Sequence, residues 1–296
     1  MSQLARLKDR SPRRLKDVAN WTTRTWGVAT AGQRSSPDFL IIGAKRGGTT
    51  SLFQYLLRHP GILGLYPQVR GVKSTDYFFA NFARGERWYR SHFPTASYRQ
   101  RLTDRLDHPP VSGEASPYYM WDSRIAARVH ALAPAVKAIA LLRDPVERAW
   151  SHYQERVHNG VEPLAFVDAL AAETARVEGE LARMAADAAY YSQAHDWYTY
   201  RARGVYQPQL ENWTATFPRE QLLVLRSEDM YADVQGVFDQ VCAFLEVPTF
   251  RLPTTESFNA IARGSMPDSA REDLREFYAP HNAALSRYLG RDLLWS

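Results

Sequence analysis

Between Asp38 and Leu52 the chain reads DFLIIGAKRGGTTSL, an apolar strand running into a glycine-bearing turn and then a helix start. Such a junction offers backbone N–H groups and the positive end of a helix to an anion, which is the chemistry of a phosphate cradle. The Walker pattern G-x-x-x-x-G-K-[ST] would put a lysine directly after Gly48, but Thr49 stands there, and the nearby cations, Lys45 and Arg46, lie inside the turn. A nucleoside-triphosphatase lysine reaches the β- and γ-phosphates beside a Mg²⁺ held by the following hydroxyl. With its cations drawn back into the turn, this loop suits a shorter, metal-free anionic chain.

A second segment, AIALLRDPVERAWSHY from Ala138 to Tyr153, joins another apolar run to a helix. Asp144 is a good N-cap and Pro145 a good first helical residue, so the helix starts where the strand ends. Arg143 then stands at the strand's carboxyl edge, and Ser151 lies two turns into the helix. A guanidinium and a hydroxyl meeting there suit a second phosphate through charge-assisted hydrogen bonds. Taken alone, the segment equally fits a structural ion pair at Arg143 and a helix-surface hydroxyl at Ser151.

The elements that must position these groups alternate. Short apolar runs at Phe39 to Gly43, Ile62 to Leu65, Val136 to Leu142 and Leu222 to Leu225 read as strands buried on both faces of a parallel sheet. Helical patterns at Ser51 to Arg58, Pro145 to Val157 and Val234 to Leu245 separate them. The alternation predicts an α/β layered fold with ligands at the carboxyl ends of the strands. Residues Phe166 to Ala189, rich in Ala, Glu and Arg, form a helix-prone insertion that would cover that edge, and Leu274 to Leu289 reads as a closing helix.

The 296 residues, 45% hydrophobic and 23% charged, suffice for one large domain or at most two. Residues 1 to 37 hold eight Lys/Arg against Asp9 and Asp17, a net +6, so the remainder of the +5 chain carries −1. The body is therefore not expected to bind nucleic acid. Leu4, Leu7, Leu15 and Val18 share a rough helical stripe among the N-terminal cations, as in a peripheral helix on anionic lipid, but a solvated, partly disordered tail is the expectation. No apolar run nears the ~20 residues needed to span a bilayer, and the default location is the cytoplasm. Cys242 is the only cysteine and reads as buried. His152 and His158 lack metal-ligand helix spacing, and no zinc pattern forms.

The two loop motifs together resemble the paired nucleotide-binding signatures of the sulfotransferases that use 3′-phosphoadenosine 5′-phosphosulfate (PAPS). The branch most similar is that of the heparan sulfate N- and O-sulfotransferases and their bacterial relatives. GAKRGGTTSLFQYLLRHP resembles the 5′-phosphosulfate loop and LLRDPVERAWSHY the 3′-phosphate segment; the likeness continues through YFFANFARGERWYRSHFP, GEASPYYM, RGVYQPQLENW, LLVLRSEDM and LREFYAPHNAALSRYLG. It implies a P-loop-like three-layer fold over residues 38–296, with a central parallel sheet flanked by helices, behind a basic tail at 1–37. It also implies that Lys45, Arg46, Gly47, Gly48, Thr49, Thr50 and Ser51 wrap the phosphosulfate, that Arg143 and Ser151 hold the 3′-phosphate, and that Arg263 closes over the donor. Lys73 and Tyr206 match acceptor-cleft positions, Tyr206 fitting a core role equally well.

Two departures from the branch bear on mechanism. Its catalytic lysine matches Arg46, which cannot give up a proton readily and so would stabilise charge on the leaving phosphate. Its base, a glutamate in K-E-x-x-[FY]-F, matches Ser74 in Lys73-Ser74-Thr75-Asp76-Tyr77-Phe78. A carboxylate near the acceptor hydroxyl could replace it. Asp76, two residues on along an extended strand, would share Ser74's face; Glu114, in GEASPYYM, is the other candidate, and both remain open. Sulfuryl transfer from PAPS, without a metal, to a carbohydrate or glycoconjugate is the expectation. A P-loop kinase or NTPase and a catalytically inactive binding relative are the alternatives.

Overall fold

The computed structural model describes residues 13–67, 72–254 and 264–295. Five strands, β1 Phe39–Gly43, β2 Ile62–Leu63, β3 Val111–Ala115, β4 Lys137–Leu142 and β5 Leu222–Arg226, form one parallel sheet in the order β2-β3-β1-β4-β5. Leu40 of β1 pairs with Glu114 on one side and Ala138 on the other. The chain leaves β1 toward β2 but leaves β4 toward β5, so the winding reverses between β1 and β4. In open α/β sheets a ligand crevice forms outside the carboxyl ends at such a switch.

Successive strand residues point to opposite faces. Leu40, Ile42, Ala138, Ala140 and Val224 enter a layer with Trp213, Phe217, Tyr77, Phe78, Tyr89 and Phe93. Phe39, Ile41, Ile139 and Leu141 enter the other, against Leu52 and Phe53 of the helix Thr49–Leu56 and Phe238 and Val241 of the helix Val234–Phe244. Each fully buried leucine or phenylalanine contributes roughly 1.5–3 kcal/mol. A third cluster, through Trp150, Tyr153, Phe166, Leu274 and Tyr278, fastens the helix Pro145–His158 to the helices Phe166–Arg176 and Asp268–Leu289. The three-layer α/β arrangement is the expected one, and four strands fall within two residues of the apolar runs.

β3 is the strand that apolar runs do not reveal. Its sequence VSGEA is short and polar, yet it is buried because each polar group has a partner inside the protein. The amide of Ser112 donates to Asp38 Oδ2 at 2.7 Å. Gly113 leaves room for the neighbouring strand, since a Cβ there would lie 2.3 Å from the Phe39 carbonyl oxygen.

Upstream of Asp38 the structure departs from a solvated tail. A helix spans Arg13–Ala29, and Arg24 donates to Ser91 Oγ at 2.9 Å and to the Tyr66 carbonyl at 2.7 Å. Arg34, only 3% exposed, donates to the Phe93 carbonyl and to Thr30 Oγ1. These two cations belong to the body of the fold; residues 1–12 lie outside the described residues. The insertion after Phe166 is two helices, Phe166–Arg176 and Glu180–Ala186, divided at Gly179, whose φ of +75° suits a residue without a side chain. The closing helix starts at Asp268 rather than Leu274.

Glu114, on β3, is fully buried and hydrogen-bonded. Its carboxylate accepts from the Thr75 amide at 2.5 Å, Thr75 Oγ1 at 3.1 Å, and the Tyr89 and Tyr119 hydroxyls at 2.9 Å each. Burial pushes this carboxyl up to about 7, against the pull of those four donors. A folded-state value above the ordinary 4.5 favours folding while the acid is protonated, so this stability is present below pH 4.5 and lost as pH rises through about 7. Glu114→Gln, a mimic of the neutral acid, is expected to flatten the decline of Tm across that window. A variant whose Tm–pH curve keeps the wild-type slope would show that this ionisation is not linked to folding.

Candidate active site

β1 ends at Gly43, and its loop is bound to the neighbouring strand through the backbone. The Ala44 amide donates to the Leu141 carbonyl at 2.9 Å, and the Gly47 amide to the Ala44 carbonyl at 2.9 Å. The loop lies so close to β4 that a Cβ on Gly47 would come within 2.3 Å of Leu141 O. Arg46 and Gly48 both take positive φ, +71° and +90°; for Arg46 this costs about 1–2 kcal/mol. The turn carries Arg46 out toward the helix Pro145–His158. Ser227 Oγ lies 2.6 Å from Gly47 O and 2.8 Å from Leu142 O, sharing its proton between the loop and the end of β4.

The helix Thr49–Leu56 follows with Gly48 at its N-cap and no side-chain cap bond. Gly48, Thr49, Thr50 and Ser51 instead border a cavity of about 360 Å³, whose far wall holds Lys73, Ser74, Asp76 and Glu155. Amides at an uncapped helix start and a nearby cluster of cations are complementary to an anion.

Among the described residues three cations border this cavity, two of them ion-paired with a carboxylate. Lys45 Nζ lies 3.3 Å from Asp196 Oδ1, and Arg46 Nη1 lies 3.5 Å from Glu155 Oε1. Lys73 Nζ is 3.5 Å from Thr49 Oγ1, with Asp76 close enough to favour its charge. Burial drives both lysines down to about 8, opposed for Lys45 by Asp196 and for Lys73 by Asp76. Burial also lowers Arg46, less consequentially because a guanidinium stays protonated.

The second motif converges on the first. Asp144 caps its helix by accepting from the Val146 amide at 2.8 Å, as its sequence predicts. Ser151 accepts from Arg46 Nε at 2.9 Å, and Arg143 Nη1 reaches the Arg46 carbonyl at 3.4 Å. Arg143 and Ser151, distant in sequence from the loop, thus meet it at Arg46, one at the backbone carbonyl and the other at the guanidinium.

The two carboxylate candidates separate. Asp76 lines the cavity, its Oδ1 accepting from Ser74 Oγ at 2.5 Å and Ser116 Oγ at 3.2 Å. It meets Ser74 through a turn, at φ +52°, rather than through the extended strand expected. Glu114 is away from the cavity, enclosed by Thr75, Tyr89 and Tyr119. Tyr206 also sits in the core, its hydroxyl donating to the Arg143 carbonyl at 2.8 Å; it supports Arg143 from behind instead of lining an acceptor cleft. Arg263 lies outside the described residues.

Glu155, on the cavity wall, and Asp196, the partner of Lys45, are candidate-site residues that the sequence reading passed over. Glu155 follows Ser151 by four residues on one helix, a spacing that puts both on one face. Asp196 has no local signal; it accepts from the Tyr191 hydroxyl at 2.8 Å and pairs with Arg203 at 3.1 Å, and burial opposed by Lys45 and Arg203 leaves it down at about 2. His152 is wholly buried, and its desolvation, reinforced by Lys45 and Arg203, holds the ring neutral. Among the described residues no cluster of His, Cys, Asp and Glu could hold a metal ion.

Residues 36–278 match a family model described as the sulfotransferase domain. The chain is 28% identical over 280 residues to the human bifunctional heparan sulfate N-deacetylase/N-sulfotransferase 3, covering 86% of this chain and 30% of that protein. It is 26% identical over 295 residues to human heparan sulfate glucosamine 3-O-sulfotransferase 6, covering 89% and 75%. The crystal structure of a sulfotransferase from Alicyclobacillus acidocaldarius superposes with a TM-score of 0.65 at 32% identity, covering 88% of this chain and 98% of that one. The family match takes in both loops that meet at Arg46 as well as the sheet that carries them, and the chain accordingly belongs to the sulfotransferase family and is a sulfotransferase enzyme.

Proposed function

We propose that this enzyme takes its sulfuryl group from PAPS and delivers it to a hydroxyl or amine of a carbohydrate or glycoconjugate. The observation that carries the donor assignment is the convergence of Arg143 and Ser151 on Arg46. A donor with phosphate at both its 3′ and 5′ positions needs two anion seats on neighbouring loops at one sheet edge, and β1 and β4 supply them. The uncapped start at Gly48 and the closeness of Gly47 to Leu141 fit a phosphate bound by backbone amides. The carbohydrate assignment rests on the heparan sulfate sulfotransferases to which the chain is similar.

The loop amides, Thr49, Thr50, Lys45 and Arg46 would hold the 5′ end, and Arg143 and Ser151 the 3′-phosphate. When bound, the donor supplies the sulfuryl group and a leaving phosphate. Arg46 and Lys45 supply fixed positive charge where negative charge grows during departure, which favours the transition state over the ground state. Asp76, held by Ser74 and Ser116 on the cavity wall, would take the acceptor's proton at Oδ2, the oxygen neither serine occupies. Lys73, on the same wall, would orient the acceptor. A kinase reading lacks its lysine at Thr49, and Arg143 stands where a metal-holding carboxylate would end β4.

Adenosine 3′,5′-bisphosphate should raise Tm by several degrees at saturation, far more than ATP with Mg²⁺. Equal shifts from both would favour a nucleoside-triphosphate enzyme. Arg46→Ala should lower kcat about a hundredfold, roughly 3 kcal/mol, while leaving the fold intact; undiminished turnover would strip Arg46 of its role. Asp76→Asn should reduce kcat by at least about a hundredfold, whereas a folded Glu114→Gln protein should keep most of its activity, and the reverse pattern would make Glu114 the base. Because Lys45 and Lys73 are charged below about 8 and neutral above it, kcat/KM for the donor should fall as pH rises through that value. A flat alkaline limb to pH 9.5 would mean that neither lysine's charge contributes to donor capture.

A further inference from the structure

A second cavity, of about 510 Å³, lies between the N-terminal helix and the β2 edge. Its wall is apolar and aromatic, with Trp26, Leu63, Tyr66 and Tyr98, and it is punctuated by two cations, Arg34 and Arg101. The Arg34 guanidinium lies 5.0 and 5.1 Å from the centroids of the Trp26 and Tyr66 rings, which meet each other edge to face. Its Nε and Nη1 are bonded within the protein, but the buried Nη2 has no hydrogen-bond partner. A guanidinium with one orphaned, buried nitrogen inside an aromatic cavity is a seat for an anionic group attached to an apolar body.

The surroundings extend this seat into a surface. Trp21, Thr22, Thr25, Trp26 and Ala29 form the exposed stripe of the helix Arg13–Ala29, following its i, i+4 spacing. Trp21 is 70% exposed and Trp26 53%, and Tyr98 beside the cavity is 44% exposed. Large aromatics left in water are unfavourable unless something covers them, and tryptophan and tyrosine are favoured at the boundary between water and lipid. Residues 1 to 37 carry a net +6 in sequence while the rest carries −1, and although Arg24 and Arg34 are bonded inside the fold the other six cations outnumber the two acids of that segment.

We propose that this face docks on an anionic phospholipid membrane, the cavity receiving one lipid whose phosphate meets Arg34 and Arg101 and whose carbon chain lies against Trp26, Leu63 and Tyr98. The charge complementarity of the basic end chooses an anionic membrane over a neutral apolar partner. Docking there leaves the donor cleft clear, since no residue lining the lipid cavity also lines the cleft. The proposal stands independently of the donor and acceptor assigned above.

The full chain should co-sediment with phosphatidylcholine vesicles containing about 30 mol % phosphatidylglycerol at least tenfold more tightly than with pure phosphatidylcholine, and about 0.5 M salt should weaken that binding. The double variant Trp21→Ala/Arg101→Glu, which alters two exposed side chains, should lose at least tenfold in vesicle affinity with Tm and bisphosphate binding unchanged. Wild-type affinity in that variant, equal binding to both vesicles, or no sedimentation at all would overturn the proposal. So would binding of a soluble sulfated polysaccharide that is lost in the double variant while vesicles stay unbound, since the face would then be a polysaccharide surface.

Discussion

The close approach of the β1 loop to the end of β4 is the constraint on which the rest of the site depends. The Ala44 amide is bonded to the Leu141 carbonyl, and Gly47 passes that same oxygen with no room for a side chain. Two strands are thereby made to end at one point. One delivers a turn of backbone amides, the other a helix bearing Arg143, Ser151 and Glu155. Arg46 crosses the gap between them at a left-handed backbone angle, a conformation that its bonds to Ser151 and Glu155 help to hold. Lengthening either connection by a residue would part the cation from its hydroxyl without changing a single functional side chain.

What could be read from the sequence was whatever is local. The strand-turn-helix at Phe39–Leu56 and the capped start at Asp144-Pro145 are each fixed within about fifteen residues by apolar patterning, glycine and a capping carboxylate, and both form as read. β3 was not legible as an apolar run, because VSGEA is made compatible with burial only by Asp38, Thr75, Tyr89 and Tyr119, residues remote along the chain. For the same reason the choice between Asp76 and Glu114 stayed open on sequence alone. Their local contexts look alike, and only the third dimension puts one on a cavity wall and the other beneath two tyrosines.

The N-terminal segment teaches the complementary lesson. Its charge count describes a basic tail, but charge counts do not say which cations are bonded to carbonyls. Arg24 and Arg34 are taken into the fold by the carbonyls of Tyr66 and Phe93 and by the rings of Trp26 and Tyr66. The aromatic residues, unremarkable singly, acquire meaning only when the helix sets two of them along its outer side.

The pairing of Lys45 and Arg46 with carboxylates has a consequence for selectivity. Lys45 and Arg46 are ion-paired with Asp196 and Glu155, which also serve Arg203 and Arg156, and Lys73 feels the field of Asp76, so the charge of the cleft cations is partly offset from within the protein. A lone inorganic phosphate that binds Lys45 or Arg46 has to displace an existing ion pair and meets the field of the nearby carboxylates. An occupant with several anionic groups, engaging the loop amides and the neighbouring arginine together, gains enough contacts to make that exchange favourable. Internal counter-ions thus act as a threshold, which keeps abundant simple anions from occupying a cation-lined site.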